Sequence, residues 1–219
     1  MGRSCDSSAV CGKVNVPRTA DESHDRPIDH DRMTRGLETA EFVTANAFVR
    51  RSALLAVGGF DERFRRAWRE DSDLQFRLLR DAGPVGRSTD PVVIHPVRPE
   101  GWRACLHRQR NAFFDALLYK KHPRLYRERI LGSPPWDHYG IVALTLASPV
   151  LWAADIGGSA AVSLVLAFVG MLRLAVRRLR TTTHTPEHVV EMVLTSVLIP
   201  YLSVYWRLRG AIHFRVLFL

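Results

Sequence analysis

Adjacent carboxylates at Glu70 and Asp71, with a third at Asp73, form the part of this sequence best suited to acid–base chemistry. We expect Asp71 to lie in the first turn of a helix, where unpaired backbone N–H groups and the helix dipole stabilise an ionised carboxylate. A neighbouring carboxylate and a closing substrate would raise its proton affinity again. These opposing effects are what a general base near neutral pH requires. The alternative is an ordinary helix cap, which is the commoner role of an acidic residue at a helix start.

The elements that must hold this acidic run can be predicted from the spacing of apolar residues. Leu74 and Leu78 lie one helical turn apart, and Gly83 is typical of a helix end. Upstream, residues 41–49 (EFVTANAFV) are typical of a strand whose small polar centre comes close to a ligand. Ser52 is then predicted to cap a short helix.

Two segments carry a family resemblance, TANAFVRRSALLAVGGFDERF and REDSDLQFRLLRDAG, in that order. They resemble the C-terminal half of the catalytic domain of family-2 glycosyltransferases, which have the GT-A fold, and the resemblance covers roughly residues 37–130. It implies an α/β chain with a partial GT-A (Rossmann-like) domain, the acceptor half only. It also implies inversion at the sugar carbon, by direct displacement from a nucleotide-sugar.

The resemblance gives roles to several residues of these motifs. Asp71 would take the proton from the acceptor hydroxyl, with Glu70 beside it and Asp73 as a further acidic residue of the site. The strand, the short helix and the GGFDE turn would shape the acceptor site, where we expect Asn46 and Thr44 to contact substrate. For Asn46, a plain turn amide is an equally good interpretation.

Aromatic and basic side chains supply the other candidate contacts with substrate. Trp68 precedes the acidic pair and would suit stacking on a sugar ring, although a tryptophan more often lies in a core. Arg108 and Arg110 lie in a basic, aromatic region at 101–130 and could reach a diphosphate through forked hydrogen bonds. The alternative for this region is a cationic helix against anionic headgroups.

The donor-binding half of a GT-A enzyme is not recognisable upstream of residue 37. That half normally ends in an Asp-x-Asp motif, which holds a divalent metal and the donor diphosphate. Asp29-His30-Asp31 matches it by letters, but no apolar strand precedes it, so we do not expect metal binding there. The resemblance implies Mg²⁺ or Mn²⁺ and suggests His95, at the end of a predicted strand, as an additional ligand. One histidine alone cannot hold such a hard cation, and an ordinary capped side chain is the alternative.

Charge and composition restrict the class of protein. The formal net charge of +9 suits nucleic acid, anionic lipid or phosphorylated substrates. No known nucleic-acid-binding module accompanies the basic residues, so nucleic acid is not an expected partner. Three cysteines lack metal-binding spacing and leave one unpaired in any disulfide scheme, which favours a reducing compartment. Residues 1–36 are polar, which predicts a largely irregular segment and no secretory signal.

Apolar stretches at 139–154 and 160–172, separated by a small polar break, follow the domain. A bilayer core takes about 20 apolar residues per helix, so each stretch falls a little short, and we predict a tight transmembrane hairpin. A re-entrant or surface-lying pair is the alternative. Basic residues flank both ends, which predicts that both ends face the cytoplasm.

A further helix is predicted after Thr185, with Pro186 in its first turn. Glu191 argues that this helix lies in the membrane interface, because mid-bilayer burial of the carboxylate would cost about 2 kcal/mol or more. Pro200 is expected to break it. Aromatic and basic residues at 201–209 then suit the headgroup level.

Together these features predict an irregular segment at 1–36, the acceptor-side half of a GT-A domain at 37–132, and a transmembrane hairpin with interfacial helices at 133–219. The predicted protein is a membrane-anchored inverting glycosyltransferase, with its catalytic region on the cytoplasmic side of the cell membrane. Its partners would be a nucleotide-sugar donor, a lipid-linked or glycan acceptor and membrane lipids, with a chain that supplies the donor-binding half as a further candidate. The alternative is a non-catalytic membrane-associated remnant or a partner-dependent subunit. A basic nucleic-acid-binding protein is a third and weaker hypothesis.

Overall fold

The computed structural model describes residues 7–17, 26–98 and 100–219. One sheet contains the strands β1 (Ala9–Asn15), β2 (Ala47–Val49) and β3 (Val85–Ile94). The α-helices of the described residues are α1 (Asp29–Thr34), α2 (Gly36–Thr39), α3 (Arg51–Ala56), α4 (Glu70–Asp81), α5 (Ala104–Arg108), α6 (Ala112–Lys121), α7 (Pro123–Arg129), α8 (Trp136–Ala153), α9 (Gly157–Leu179) and α10 (Pro186–Phe214). Short 3₁₀ turns lie at Thr44–Asn46 and Gln109–Asn111.

The central strand of the sheet is β1, which runs antiparallel to β2 and parallel to β3. Most of β1 is buried, with Cys11 1% exposed, and only after the register shift at Cys11–Lys13 do exposed Lys13 and Asn15 alternate with buried Val14. The prediction of an irregular N-terminal segment was therefore wrong for these residues, and the sheet crosses the predicted domain boundary at residue 36. The apolar alternation is weak as a sequence signal because Gly12 and Lys13 interrupt a short run.

Helix α4 lies between two apolar clusters. Leu74 and Leu78 pack in the cluster that contains the sheet residues and Phe42, whereas Phe76 packs with residues of α6 and α7 such as Leu117. A mixed sheet packed against helices confirms the predicted α/β class. Both faces of α4 are fixed by this packing, so the direction of its acidic first turn is fixed as well.

Several predicted boundaries can be compared with the structure. The helix α4 and its end are confirmed, because Gly83 has a φ of 116° and its N–H donates to the Leu78 carbonyl at 3.0 Å. Helix α3 begins at Arg51 without a side-chain cap, so the predicted cap at Ser52 was wrong. Of the predicted strand at 41–49, three residues are β-strand and a 3₁₀ turn precedes them.

Helices α8 and α9 form the predicted antiparallel hairpin. Ser148 Oγ donates to the Ala160 carbonyl at 3.2 Å, and Ser163 Oγ donates to the Leu144 carbonyl at 3.0 Å. Among the described residues, α9 and α10 are long and apolar enough to cross a membrane, whereas α8 is not. The half of the hairpin near its turn leaves large apolar side chains exposed, including Leu146, Val150, Trp152, Val162, Val165 and Phe168.

Helix α10 continues through Pro200, so the predicted break there was wrong. It contacts both hairpin helices: Ile199 packs with Leu174 towards the end of α9, and the Tyr201 hydroxyl lies 2.9 Å from the Thr145 hydroxyl in the middle of α8. Its last turns then pack on α6, at Gly210. Through these contacts, α10 connects α6 to the α8–α9 hairpin.

Candidate active site

The acidic pair Glu70 and Asp71 begins helix α4, as predicted. The residue before it, Arg69, has a φ of 75°, in the left-handed region that a non-glycine residue rarely adopts. The Oδ1 atom of Asp71 accepts the Ser72 backbone N–H at 2.7 Å. Both acidic side chains are half-buried. Backbone strain directly before a pair of half-buried acids is a feature that clusters at active sites.

Burial raises the pKa of the Asp71 carboxyl above its usual range, and the hydrogen bond from the Ser72 N–H offsets part of this. Burial also raises the pKa of Glu70, with a further contribution from the charge of Asp71. One oxygen of Glu70 is buried and has no hydrogen-bond partner in the described chain. A carboxylate with raised proton affinity is suited to accept a proton from a substrate hydroxyl.

Asp115 of α6 holds the segment before the acidic pair. Its Oδ1 accepts hydrogen bonds from Trp68 Nε1 at 3.0 Å and from Arg69 Nε at 2.6 Å. The Arg69 guanidinium lies 4.5 Å from the centroid of the Trp68 ring, so it covers one face of the predicted sugar platform. Sequence reasoning missed Asp115, although a lone acid in the apolar run AFFDALL is an identifiable signal.

Asp73 was predicted to be a further acidic residue of the substrate site, but it lies in the interior of the protein. Its side chain is fully buried, and its oxygens contact Arg77 Nε at 2.8 Å, Lys121 Nζ at 2.5 Å and His122 Nε2 at 2.9 Å. Lys121 Nζ also lies 2.6 Å from the Asp61 carboxylate in the GGFDE turn. Asp73 thus joins α4 to the end of α6, and a substrate has no access to it.

Asp71 lies on the face of α4 that packs towards the sheet. Residues at spacings of three, four and seven share one face of a helix, and this places Asp71 with Gln75 and Leu78. Gln75 Nε2 donates to the Glu41 carboxylate at 3.1 Å. The predicted base therefore faces the same side as the segment from Glu41 to Thr44, and Thr44 is exposed there.

Asn46 is buried in the sheet and uses its amide for the fold. Its Nδ2 donates to the carbonyls of Lys13 at 2.9 Å and Pro91 at 2.8 Å. These bonds lie where the pairing of β1 and β3 shifts, between Cys11 and Lys13. A Cβ on Gly12 would come within 2.5 Å of this amide, so the close approach requires glycine. The N–H groups of Asn46, a residue predicted to contact the sugar-acceptor substrate, are thus already hydrogen-bonded within the protein.

His95 follows β3 at the sheet edge where the parallel strands β1 and β3 both end. Its N–H donates to the Asn15 carbonyl at 2.8 Å, and its Nδ1 is buried without a hydrogen-bond partner in the described residues. This edge is where ligands bind in open α/β sheets. No hydrogen bond between described residues joins His95 to Asp71.

The residues that the structure describes do not complete a site for Mg²⁺ or Mn²⁺. They contain no group of three or more His, Cys, Asp or Glu side chains placed to hold a metal ion. Asp29 lies in α1, and its carboxylate pairs with Arg178 at 3.2 Å and Arg32 at 3.3 Å. The Asp-x-Asp letters at 29–31 therefore do not form the strand-end motif of a donor site.

Arg108 and Arg110, which were predicted to reach a diphosphate, have different surroundings in the structure. Arg108 contacts the His30 ring and donates to Glu100 Oε2 at 2.9 Å. Arg110 is exposed, and its guanidinium lies 5.8 Å from the Trp206 ring of α10. The two guanidinium groups have separate partners, and this arrangement does not form a shared diphosphate clamp.

Comparison with known proteins agrees with the motifs. No curated protein and no solved structure gives a match to the chain. The sequence model of the family described as Glycosyl transferase family group 2 matches residues 23–208, which is most of the chain and includes the helical C-terminal region. The chain therefore belongs to the group-2 family of glycosyltransferases.

Proposed function

We propose that the chain is a membrane-associated inverting glycosyltransferase in which Asp71 is the catalytic base. The observation that carries this proposal is the half-buried Asp71 at the start of α4, with its pKa raised by burial, in a chain of this family. Glu70 lies beside the base, and burial together with the charge of Asp71 raises the pKa of the Glu70 carboxyl.

The proposed reaction is a direct displacement. The acceptor hydroxyl gives its proton to Asp71, and its oxygen forms a bond to the anomeric carbon of the donor sugar. The bond from that carbon to the donor diphosphate breaks on the opposite face, and the electron pair leaves with the nucleoside diphosphate. A family-2 enzyme often binds a divalent cation at the diphosphate, but the described residues do not complete such a site, so no step is assigned to a metal.

We place the acceptor between the first turn of α4 and the segment from Glu41 to Thr44. Thr44 is exposed and Trp68 is half-buried there. The donor side of the reaction requires residues that were not recognised in this sequence. A partner chain that supplies a donor-binding half remains part of the proposal.

The membrane contact is proposed through the α8–α9 hairpin, because its exposed apolar side chains lie near the turn. Arg173, Arg177 and Arg180 lie at the opposite end of α9. By the positive-inside rule this end faces the cytoplasm. A lipid-linked acceptor would then diffuse in the same surface that holds the enzyme.

Transfer of labelled sugar tests the proposal, with the full chain in vesicles, a panel of nucleotide-sugars and a lipid extract as acceptor. Loss of a general base lowers rates by about 10² to 10⁴-fold, so Asp71→Asn should lose activity by at least 10²-fold. Asp81→Asn, at an exposed position in the same helix, is the matched control and should keep activity. Equal rates for Asp71→Asn and wild type would refute the role of Asp71.

The non-catalytic alternative is favoured by one observation, the lack of a metal-binding group in the described residues. It predicts no calorimetric binding of any nucleotide-sugar with Mn²⁺ present. It also predicts that Asp71→Asn changes nothing. Binding of a nucleotide-sugar by the purified chain alone would exclude this alternative.

A further inference from the structure

Glu41 is an exposed carboxylate that two other elements hold in position. Its Oε2 accepts a hydrogen bond from Gln75 Nε2 of α4 at 3.1 Å and another from Arg129 Nη1 of α7 at 2.6 Å. Gln75 is 7% exposed, so the protein interior fixes its side chain. A free glutamate side chain on a surface samples many rotamers. The two hydrogen bonds restrict this freedom and orient the carboxylate.

The second oxygen of this carboxylate is available to a ligand. Oε1 of Glu41 makes no hydrogen bond to another described residue, and the side chain is 56% exposed. Each oxygen of an ionised carboxylate can accept about two hydrogen bonds. The structure therefore presents an oriented and accessible acceptor atom at this position.

Glu41 lies on the same surface as the proposed base. Asp71 and Gln75 are one helical turn apart on α4, which corresponds to about 5–6 Å between their Cβ atoms. Gln75 then contacts Glu41 directly, and the next residue, Phe42, packs with Leu74 of the same helix. A ligand that reaches from Asp71 along this face of α4 therefore meets Glu41.

The charges on this surface favour a neutral ligand. Arg69 and Arg129 both have carboxylate partners, Asp115 at 2.6 Å and Glu41 at 2.6 Å, respectively. Asp71 has no cation at bonding distance among the residues that the structure describes. A phosphate at this surface would come close to the charges of Glu41 and Asp71, and like charges in contact disfavour binding.

A sugar hydroxyl matches the free oxygen of Glu41. A carboxylate accepts hydrogen bonds and donates none, whereas a hydroxyl can donate one. Hydrogen bonds to a charged acceptor are about twice as strong as those between neutral groups. We propose that Glu41 determines acceptor specificity, by accepting a hydrogen bond from a second hydroxyl of a neutral sugar acceptor and by disfavouring an acceptor phosphate. This inference rests on the proposed function, which places the acceptor beside Asp71.

Direct binding tests the role of Glu41 without sugar transfer. The full chain in phosphatidylcholine nanodiscs is titrated with methyl glycosides of neutral hexoses and N-acetylhexosamines, and binding is followed by saturation-transfer NMR. At least one glycoside should bind wild type. Glu41→Gln should bind it about tenfold more weakly, because the acceptor atom loses its charge. Glu128→Gln is the matched control and should bind as wild type does, since it removes the acid of another exposed pair, with Arg124 at 2.7 Å.

Farnesyl phosphate provides the opposite probe in the same nanodiscs. It should bind wild type more weakly than the glycoside does, because of the carboxylate charges. It should bind Glu41→Gln more tightly than it binds wild type, since the substitution removes one negative charge and releases Arg129. A role of Glu41 in the fold alone would not produce this change of preference.

Three results would overturn the proposal. They are equal glycoside binding by Glu41→Gln and Glu128→Gln, no glycoside binding by wild type, and tighter binding of farnesyl phosphate than of any glycoside by wild type. Should Glu41→Gln not fold, Glu41→Asp keeps the charge but withdraws it by one methylene group, and it should also weaken glycoside binding.

Failure of this inference can be distinguished from failure of the proposed reaction. Sugar transfer that depends on Asp71, in a chain that binds no neutral glycoside, would keep the reaction and overturn the role of Glu41. Glycoside binding that depends on Glu41, in a chain that transfers no sugar, would keep the role of Glu41 in binding and overturn the reaction.

Discussion

Replacing Asp73 by asparagine should destabilise the fold through a defined set of contacts. The change removes a buried negative charge from Arg77, Lys121 and His122. Removing one partner of a buried ion pair costs about 3–5 kcal/mol. Asparagine keeps one acceptor oxygen, and Lys121 keeps its contact with Asp61 at 2.6 Å. We therefore expect the lower end of that range, about 3 kcal/mol.

The unfolding midpoint of the full chain in detergent measures this loss. For a domain of this size, 1 kcal/mol corresponds to about 2–4 °C, so Asp73→Asn should lower the midpoint by about 6–12 °C. Asp81→Asn removes the acid of an exposed pair with Arg80 on the same helix and should change the midpoint little. If the two variants are equally stable, Asp73 does not have the role described.

The pH dependence of the same difference provides a second check. Burial alone would raise the pKa of Asp73, but the hydrogen bonds from His122 and Lys121 prevail, and its pKa lies below the usual value. A depressed pKa in the folded state gives stability that is present above the unfolded pKa of about 3.9 and is lost as pH falls through the folded pKa. The difference in unfolding midpoint between wild type and Asp73→Asn should therefore become smaller below about pH 4. A gap that stays constant down to pH 3 would contradict the reasoning.

Three further predictions concern the acidic pair and the sheet. Asp115→Asn weakens the hydrogen bonds that hold the segment before α4, so kcat/KM for sugar transfer should fall about tenfold while circular dichroism is unchanged. The raised pKa of Asp71 should place the acid limb of the kcat/KM profile above about pH 4, where an ordinary aspartate titrates, and a limb at or below that value would count against Asp71. Gly12→Ala would bring a Cβ within 2.5 Å of the Asn46 amide and the Pro91 carbonyl, and this overpacking should cost about 1–3 kcal/mol in a denaturant titration. A stability equal to wild type would mean that the sheet relaxes around the methyl group.

Local signals predicted the helix that presents Asp71, because acidic residues in a first turn and a glycine at the end are both properties of neighbouring residues. The side chains that satisfy those acids could not be predicted in the same way. His122 is 49 positions from Asp73 along the chain, and its hydrogen bond exists only because α6 packs beside α4. Spacing placed Asp71 and Asp73 in the same turn. Their burial differs because it depends on tertiary packing, which cannot be read from residue spacing. Asp71 is half-buried, whereas Asp73 is completely buried.

Strand β1 and Arg207 show two other limits of sequence reasoning. The strand is short and contains Gly12 and Lys13, so its apolar pattern is no stronger than that of a loop. Arg207 lies in a run of aromatic and basic residues that suits the headgroup level, yet its side chain is buried while Arg209 is exposed. Residues two apart on a helix lie on different faces, so one basic run contains both a surface cation and a buried one.

The start of α4 is held by two acids with separate roles, one in α6 and one in α4 itself. Asp115 fixes the backbone before Glu70 through the left-handed Arg69, and Asp73 fixes the first turn to the end of α6 through Lys121. Both acids are thus engaged by cations of the protein, and the pKa of Asp73 is lowered by the hydrogen bonds from His122 and Lys121. Asp71 has a backbone N–H and a serine hydroxyl as hydrogen-bond partners and no cation at bonding distance in the described residues. A carboxylate surrounded in this way keeps the raised pKa that the proposed proton transfer needs.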